Sequence, residues 1–360
     1  MHDIYIKLKD RVKEKFPAGD SLLSSSEDIK DKKKVLLRTA REVVWEEGLG
    51  LNPPQVQEML EKLLDEVLGL GPLESLLRDD RITEIMVNGP DRVYIEKGGM
   101  LQAADLCLEG DGEIYRIIDR IIGPLGLHVD ESSPYVDARL PDGSRVNVVL
   151  PPLSLLGPVI TIRKFRHRPY DIEELVKSGT LSGTTAAFLA DGVRDRKNMI
   201  ISGGAGTGKT TLLNALSSFI GEGERIITLE DAAELRLQQP HVVPLETRPP
   251  NLEGKGEVTL RNLLRNALRM RPDRIIIGEV RGAEALDLLQ ALNTGHRGSL
   301  TTIHANSPLD ALSRLETMAL TAGVGLPSRA IREQIMQTVD IVVHMERDAA
   351  GFRKVDGISA

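Results

Sequence analysis

Twelve consecutive residues, Ile200-Ile201-Ser202-Gly203-Gly204-Ala205-Gly206-Thr207-Gly208-Lys209-Thr210-Thr211, restrict this chain more than any other stretch. They fit G-x-x-x-x-G-K-[ST], with Gly203, Gly208, Lys209 and Thr210 in register. The run Asn198–Ile201 in front predicts a buried strand, and Leu212–Leu216 behind predicts the start of a helix. Strand, glycine-rich turn and helix in that order give the pattern its mechanical meaning. Closely spaced glycines let several backbone N–H groups turn inward on a phosphate chain, at a helix N-terminus whose dipole favours anions. Lys209 would reach the outer phosphates of a nucleoside triphosphate, and the Thr210 hydroxyl would sit on Mg²⁺.

At 360 residues the chain is expected to hold two or three domains. Aromatic residues are only 3% and the formal net charge is −7, which argues against base stacking and against a general nucleic-acid binder. The single cysteine, Cys107, excludes an internal disulfide and a cysteine-built metal site and suits a reducing cytoplasm. It lies in the alternating run Leu106-Cys107-Leu108 and is expected to be packed. No apolar run reaches the ~18–20 residues that span a bilayer, and the first residues carry no signal-peptide core. A soluble cytoplasmic protein is therefore expected, at most peripheral to a membrane.

Residues 1–71 read as a three-helix bundle. Ile4, Leu8, Val12 and Phe16 are helically spaced, Pro17–Ser21 breaks the pattern, and Ser26–Glu47 forms a second helix. Asn52-Pro53-Pro54 starts a third, which runs to Gly69. Lys30–Lys34 reads as a solvated charge run. Residues 72–165 read as an α+β domain. It has hairpins at Gly89-Pro90-Asp91 and at Pro141–Ser144, a helix through Ile114, Ile117, Ile118 and Ile121, and a strand at Val159–Phe165. A linker is expected at 166–178 and an α/β domain over 179–360. The strands expected there are Arg225–Glu230, Arg274–Glu279, Ser299–His304 and, as the last complete one, Asp340–His344.

Carboxylates end two of these strands. Glu230 and Asp231 follow Ile226–Leu229, and Glu279 follows Arg274–Gly278. In an open parallel sheet, ligands bind beyond the carboxyl ends of the strands. Gly278 stands where such loops commonly have an aspartate, so Mg²⁺ coordination is expected to rest on Thr210, with Glu279 or Glu230 as a direct or water-mediated carboxylate. Either glutamate could orient water as the base; Asp231 and Glu234 could equally be helix caps. His296 and His304 bracket a strand, with no third ligand spaced to make a metal site. For His304, a γ-phosphate sensor and a satisfied polar residue both stay open. Arg139, Arg145 and Arg163 sit at adjoining strand ends and could supply positive charge to a transition state. Arg261, Arg265 and Arg269 form a helical stripe that reads as solvated or subunit-facing rather than phosphate-binding.

Gly203–Thr211, Thr228–Leu235, Arg271–Gly282 and Gly295–Asn306 together resemble the secretion ATPase superfamily, which powers type II and type IV secretion and type IV pili. Thr83–Pro90, Val136–Arg145 and Gln239–Val243 bring the resemblance nearest to the CpaF type of the tight-adherence (Tad) pilus. The resemblance implies an α/β, RecA-like P-loop NTPase domain preceded by an α+β (PAS-like) domain and an N-terminal helical bundle. It implies a homohexamer that hydrolyses ATP with Mg²⁺ and docks on the cytoplasmic face of an inner-membrane platform protein, without nucleic acid. Glu230 and Asp231 match the family's acidic "Asp box", with Glu230 as base, and Glu279 its atypical acid strand end. His296 and His304 match its "His box", and Arg139, Arg145 and Arg163 match its cleft arginines. Arg297 departs from the acidic residue expected after His296. Family members usually continue beyond the position of Ala360, so a shortened C-terminus is expected. Two other classes stay open: a nucleic-acid motor on the same core, and a nucleotide-gated scaffold with little hydrolysis.

Overall fold

The computed structural model describes residues 5, 8, 11, 26–46, 52–165, 169–248, 250 and 255–359. The chain divides into two compact units, Met1–His167 and Arg168–Ala360.

In the first unit, two long helices, Ser26–Glu46 and Pro53–Leu68, pair through a small apolar cluster. Leu36, Ala40 and Val43 on one face Met59, Leu60 and Leu63 on the other, with Tyr5 and Leu8 buried among them. The second helix starts as its sequence dictates. Asn52 Oδ1 accepts from Gln55 N–H and Gln55 Oε1 accepts from Asn52 N–H, both at 3.0 Å, a reciprocal cap reinforced by Pro53 and Pro54. The expected first helix and the break at Pro17–Ser21 lie almost wholly outside the described residues, as do the side chains of residues 26–32. Lys33 and Lys34 are exposed.

The rest of this unit is a six-stranded antiparallel sheet in the order β3-β2-β1-β6-β5-β4. Its strands are Ile82–Val87 (β1), Val93–Lys97 (β2), Met100–Ala103 (β3), Tyr135–Arg139 (β4), Arg145–Val149 (β5) and Val159–Arg163 (β6). The helix Asp111–Ile122 lays Ile114, Ile117, Ile118 and Ile121 over one face, where Ile85, Val146, Val148, Ile160 and Ile162 are buried. The polar residues that alternate with these take the other face. Strand β3 was not expected: its four residues are all exposed, so no apolar alternation marks it. Cys107, expected to be packed, is exposed. Its neighbour Leu108 takes the buried position, and alternation turns the thiol outward.

The second unit is a seven-stranded sheet in the order β13-β12-β7-β11-β10-β8-β9. It comprises Met199–Gly203 (β7), Ile226–Glu230 (β8), Val242–Glu246 (β9), Arg274–Ile277 (β10), Leu300–His304 (β11), Ile341–Arg347 (β12) and Arg353–Ser359 (β13). All pairings are parallel except β12 with β13. Both faces are covered, which explains why the central strands are near-continuous apolar runs. Ile200, Ile227, Ile275, Ile277, Ile303 and Val342 pack against the helices Leu260–Ala267, Glu284–Asn293, Pro308–Leu320 and Ser328–Thr338. Met199, Ile201, Ile226, Ile276, Ile341 and Val343 pack against Ile172–Lys177, Gly183–Arg194 and Lys209–Ser217.

Two expectations are corrected by the fold. The supposed linker 166–178 contains the helix Ile172–Lys177, capped by Asp171 and anchored through buried Leu175; residues 166–168 lie outside the described ones. The strand at Asp340–His344 is not the last complete one. It runs to Arg347 and returns as β13, an edge strand whose mixed polarity hid it. The arginine stripe is largely solvated as read, with Arg265 and Arg269 exposed, and it also makes ion pairs. Arg261 Nε and Arg265 Nε hold the buried Asp287 at 2.6 and 2.7 Å and tie two helices together.

Candidate phosphate-binding site

The loop after β7 turns as its glycines permit. Gly203 has φ +153°, and a side chain there would come within 2.4 Å of the Met345 carbonyl oxygen. Gly208 precedes the helix Lys209–Ser217 in the left-handed region, at φ +93°. Lys209 is 7% exposed, and its ammonium is folded into the turn. It donates to Gly203 O at 3.1 Å and Gly204 O at 2.6 Å and lies 3.5 Å from His304 Nδ1. Burial lowers the Lys209 pKa from its ordinary value, with Glu279 opposing that shift.

Three strand ends converge on this lysine. His304 closes β11, and its Nε2 lies 3.1 Å from Glu279 Oε1. Burial and the Lys209 ammonium hold the His304 pKa below its ordinary value, so the ring is neutral near pH 7. Its Nδ1 faces the Lys209 ammonium and its Nε2 faces the Glu279 carboxylate. Glu279 Oε2 accepts from Arg281 Nη2 at 2.7 Å, and Arg281 Nη1 lies 3.9 Å from Asp231 Oδ2. The result is an alternating chain of charge and dipole: Lys209, His304, Glu279, Arg281, Asp231.

Glu230 is 3% exposed and held differently. Its Oε1 accepts from the N–H groups of Glu234 at 2.8 Å and Leu235 at 3.0 Å, so the carboxylate anchors the loop after β8. A side chain at Gly278 would meet Glu230 Cγ at 2.9 Å. Gly278 is small because the Glu230 side chain crosses it.

Sequence reasoning identified Lys209, Glu279 and His304, and the structure brings them together, with Glu230 beside Gly278. It missed Arg281, which lies in the same motif two residues past Glu279. His296 is elsewhere, at the opposite end of β11, with Nδ1 3.3 Å from Ala291 O. Arg139, Arg145 and Arg163 belong to the first unit, where they are cross-strand partners: Arg139 opposite Arg145, and Arg145 opposite Arg163. Arg163 Nε also donates to Glu84 Oε1 at 2.8 Å.

Among the described residues, no three His, Cys, Asp or Glu side chains gather into a metal site. The residues present fit a magnesium nucleotide instead: a glycine turn, a buried ammonium, the hydroxyl of Thr210 and the carboxylate of Glu279. No helix among the described residues is long and apolar enough to cross a membrane.

Comparison with known proteins places this site in context. A Mycobacterium tuberculosis protein carrying a conjugal-transfer name is 40% identical over 315 residues, spanning 86% of this chain and 89% of its own. The type IV secretion system protein VirB11 of Bartonella quintana is 30% identical over 342 residues, spanning 83% and 95%. The crystal structure of the Legionella pneumophila ATPase DotB matches 78% of this chain and 77% of its own, with a TM-score of 0.57 at 20% identity, which speaks for the fold alone. The family described as type II/IV secretion system protein matches residues 66–354. With its glycine turn, Glu279 and His304 all inside that span, this chain belongs to the type II/IV secretion ATPase superfamily.

Proposed function

We propose that the chain is an ATP-hydrolysing motor, working as a homohexamer beside a membrane platform protein to drive a secretion or pilus machine. The observation that carries this reading is the Lys209–His304–Glu279 chain at the mouth of a glycine turn. Gly203–Thr211 would cradle the phosphates, and Lys209 would leave the Gly203 and Gly204 carbonyls for the β- and γ-phosphates. Thr210 and Glu279 would hold Mg²⁺, Glu279 through water. When bound, the ion neutralises charge on the phosphate oxygens. Glu279 is our assignment for orienting the attacking water, with His304 reading the γ-phosphate. Glu230 is the weaker candidate, because its Oε1 already serves the Glu234 and Leu235 amides. Arg139, Arg145 and Arg163, in register across three strands, would supply positive charge to the transition state.

A Tad-type pilus is the machine suggested by the motifs at Thr83–Pro90, Val136–Arg145 and Gln239–Val243. The names of the relatives favour a second reading, a conjugal or type IV transfer system. Loss of surface fibres on deletion supports the first, and loss of DNA or protein transfer with fibres intact supports the second.

The biochemical test is steady-state phosphate release by the purified full chain with MgATP. Lys209→Ala is expected to lose turnover by on the order of 100-fold, and DNA or RNA should leave the wild-type rate unchanged. Stimulation by nucleic acid with salt-sensitive binding would favour the nucleic-acid motor. A wild-type protein that binds ATP without turnover would favour the scaffold.

A further inference from the structure

The β12–β13 hairpin flanks β7 on the side opposite β11. Met345 pairs with Val355 and Arg347 with Arg353, so these four side chains share one face. That face meets the phosphate loop. Arg353 Nε donates to Gly206 O at 2.8 Å. A side chain added at Gly206 would meet Arg347 Nη1 at 3.3 Å, and one at Gly208 would meet Arg353 Cδ and Met345 Cε at 3.5 Å. Two guanidinium groups directly opposite one another on a hairpin repel. Here both reach the rim of a turn built to hold an anion.

The topology gives a direction. Glu279 and His304 follow β10 and β11, on one side of β7, and the hairpin lies on the other. A γ-phosphate directed at Glu279 and His304 leaves the rest of the nucleotide extending toward the hairpin. We infer that Arg347 and Arg353 are nucleotide-binding residues that grip the α,β-diphosphate shared by ATP and ADP. The inference rests on the nucleotide reading above and extends it to a pair of residues in the same unit. Guanidinium forks match phosphate oxygens in pairs, and such charge-assisted bonds are among the stronger ones. Glu279 and His304 respond to the γ-phosphate, whereas the arginine pair, like Lys209 on the β-phosphate, holds substrate and product alike and so slows ADP release.

The test is calorimetric titration of the full chain with MgADP, with a magnesium non-hydrolysable ATP analogue, and with magnesium pyrophosphate. Arg347→Ala and Arg353→Ala, at unchanged melting temperature, are each expected to weaken all three ligands by about tenfold or more. Arg353→Lys keeps the charge and stem beside Gly206 but not the fork, so it should also bind ADP more weakly while remaining folded. Wild-type ADP affinity in the folded variants overturns the inference. So does weakening confined to the ATP analogue, or weakening that spares pyrophosphate. A wild-type protein that takes up no nucleotide, and matches Lys209→Ala in every titration, removes the nucleotide reading itself and the inference with it.

Discussion

Gly278 occupies the position where loops of this kind commonly have a carboxylate. The Glu230 side chain passes over it at a distance that leaves no room for a Cβ, on its way to the Glu234 and Leu235 amides. Gly278→Ala should therefore displace Glu230 and free two buried N–H groups. Charged hydrogen bonds of this kind are worth roughly 1.5–3 kcal/mol, and a loss of about 2 kcal/mol is expected from denaturant unfolding. Hydrogen exchange should show residues 231–235 opening faster; unchanged protection there would mean that the loop is held by something else. Glu279 and Glu230 look equivalent in sequence, each an acid ending an apolar strand. Only the fold separates them, because one carboxylate turns to His304 and Arg281 and the other to backbone amides. The glycine turn, Lys209 and Glu279 were legible because spacing alone encodes their chemistry. Arg281, Arg347 and Arg353 were not, since an arginine carries no periodic signal and its partners are distant in the chain.

Among elements, the buried parallel strands were readable and the edge strands were not. Strands β7, β8, β10 and β11 are buried on both faces and rich in isoleucine and leucine, which sets them apart from solvated loops. By contrast, β3, β9 and β13 are edge strands with no fully buried residue, and the sequence pattern marks none of the three. One polar cluster locks the elements behind the site. Arg274, only 1% exposed, opens β10 and donates to Glu224 at 2.7 and 3.1 Å, to Val193 O at 2.9 Å and to Gly298 O at 3.2 Å. A Cβ at Gly298 would fall 1.9 Å from Arg274 Nη1. Gly298→Ala should expel the guanidinium from Glu224, which keeps Arg196 at 2.9 Å, and the lost charged hydrogen bonds cost about 3 kcal/mol. The expected result is a melting temperature lowered by roughly 6 °C or more. A variant that melts with the wild type would show that β10 and β11 can be fixed without this cluster.

For the whole molecule, each of the two units possesses its own core. The second holds the glycine turn, Lys209, Glu279 and His304. The first holds three arginines in cross-strand register, placed there by the alternation of β4, β5 and β6, which buries Val146 and Ile162 and leaves the arginines on the open face. Hydrolysis is expected to depend on Glu279, the acid that follows β10. Glu279→Gln keeps the shape of that side chain and removes its charge. Steady-state phosphate release by this variant, measured beside its ATP affinity, is the direct test. The expected result is ATP affinity close to wild type with turnover reduced by on the order of 100-fold. Phosphate release at the wild-type rate from a protein that binds ATP normally would contradict it.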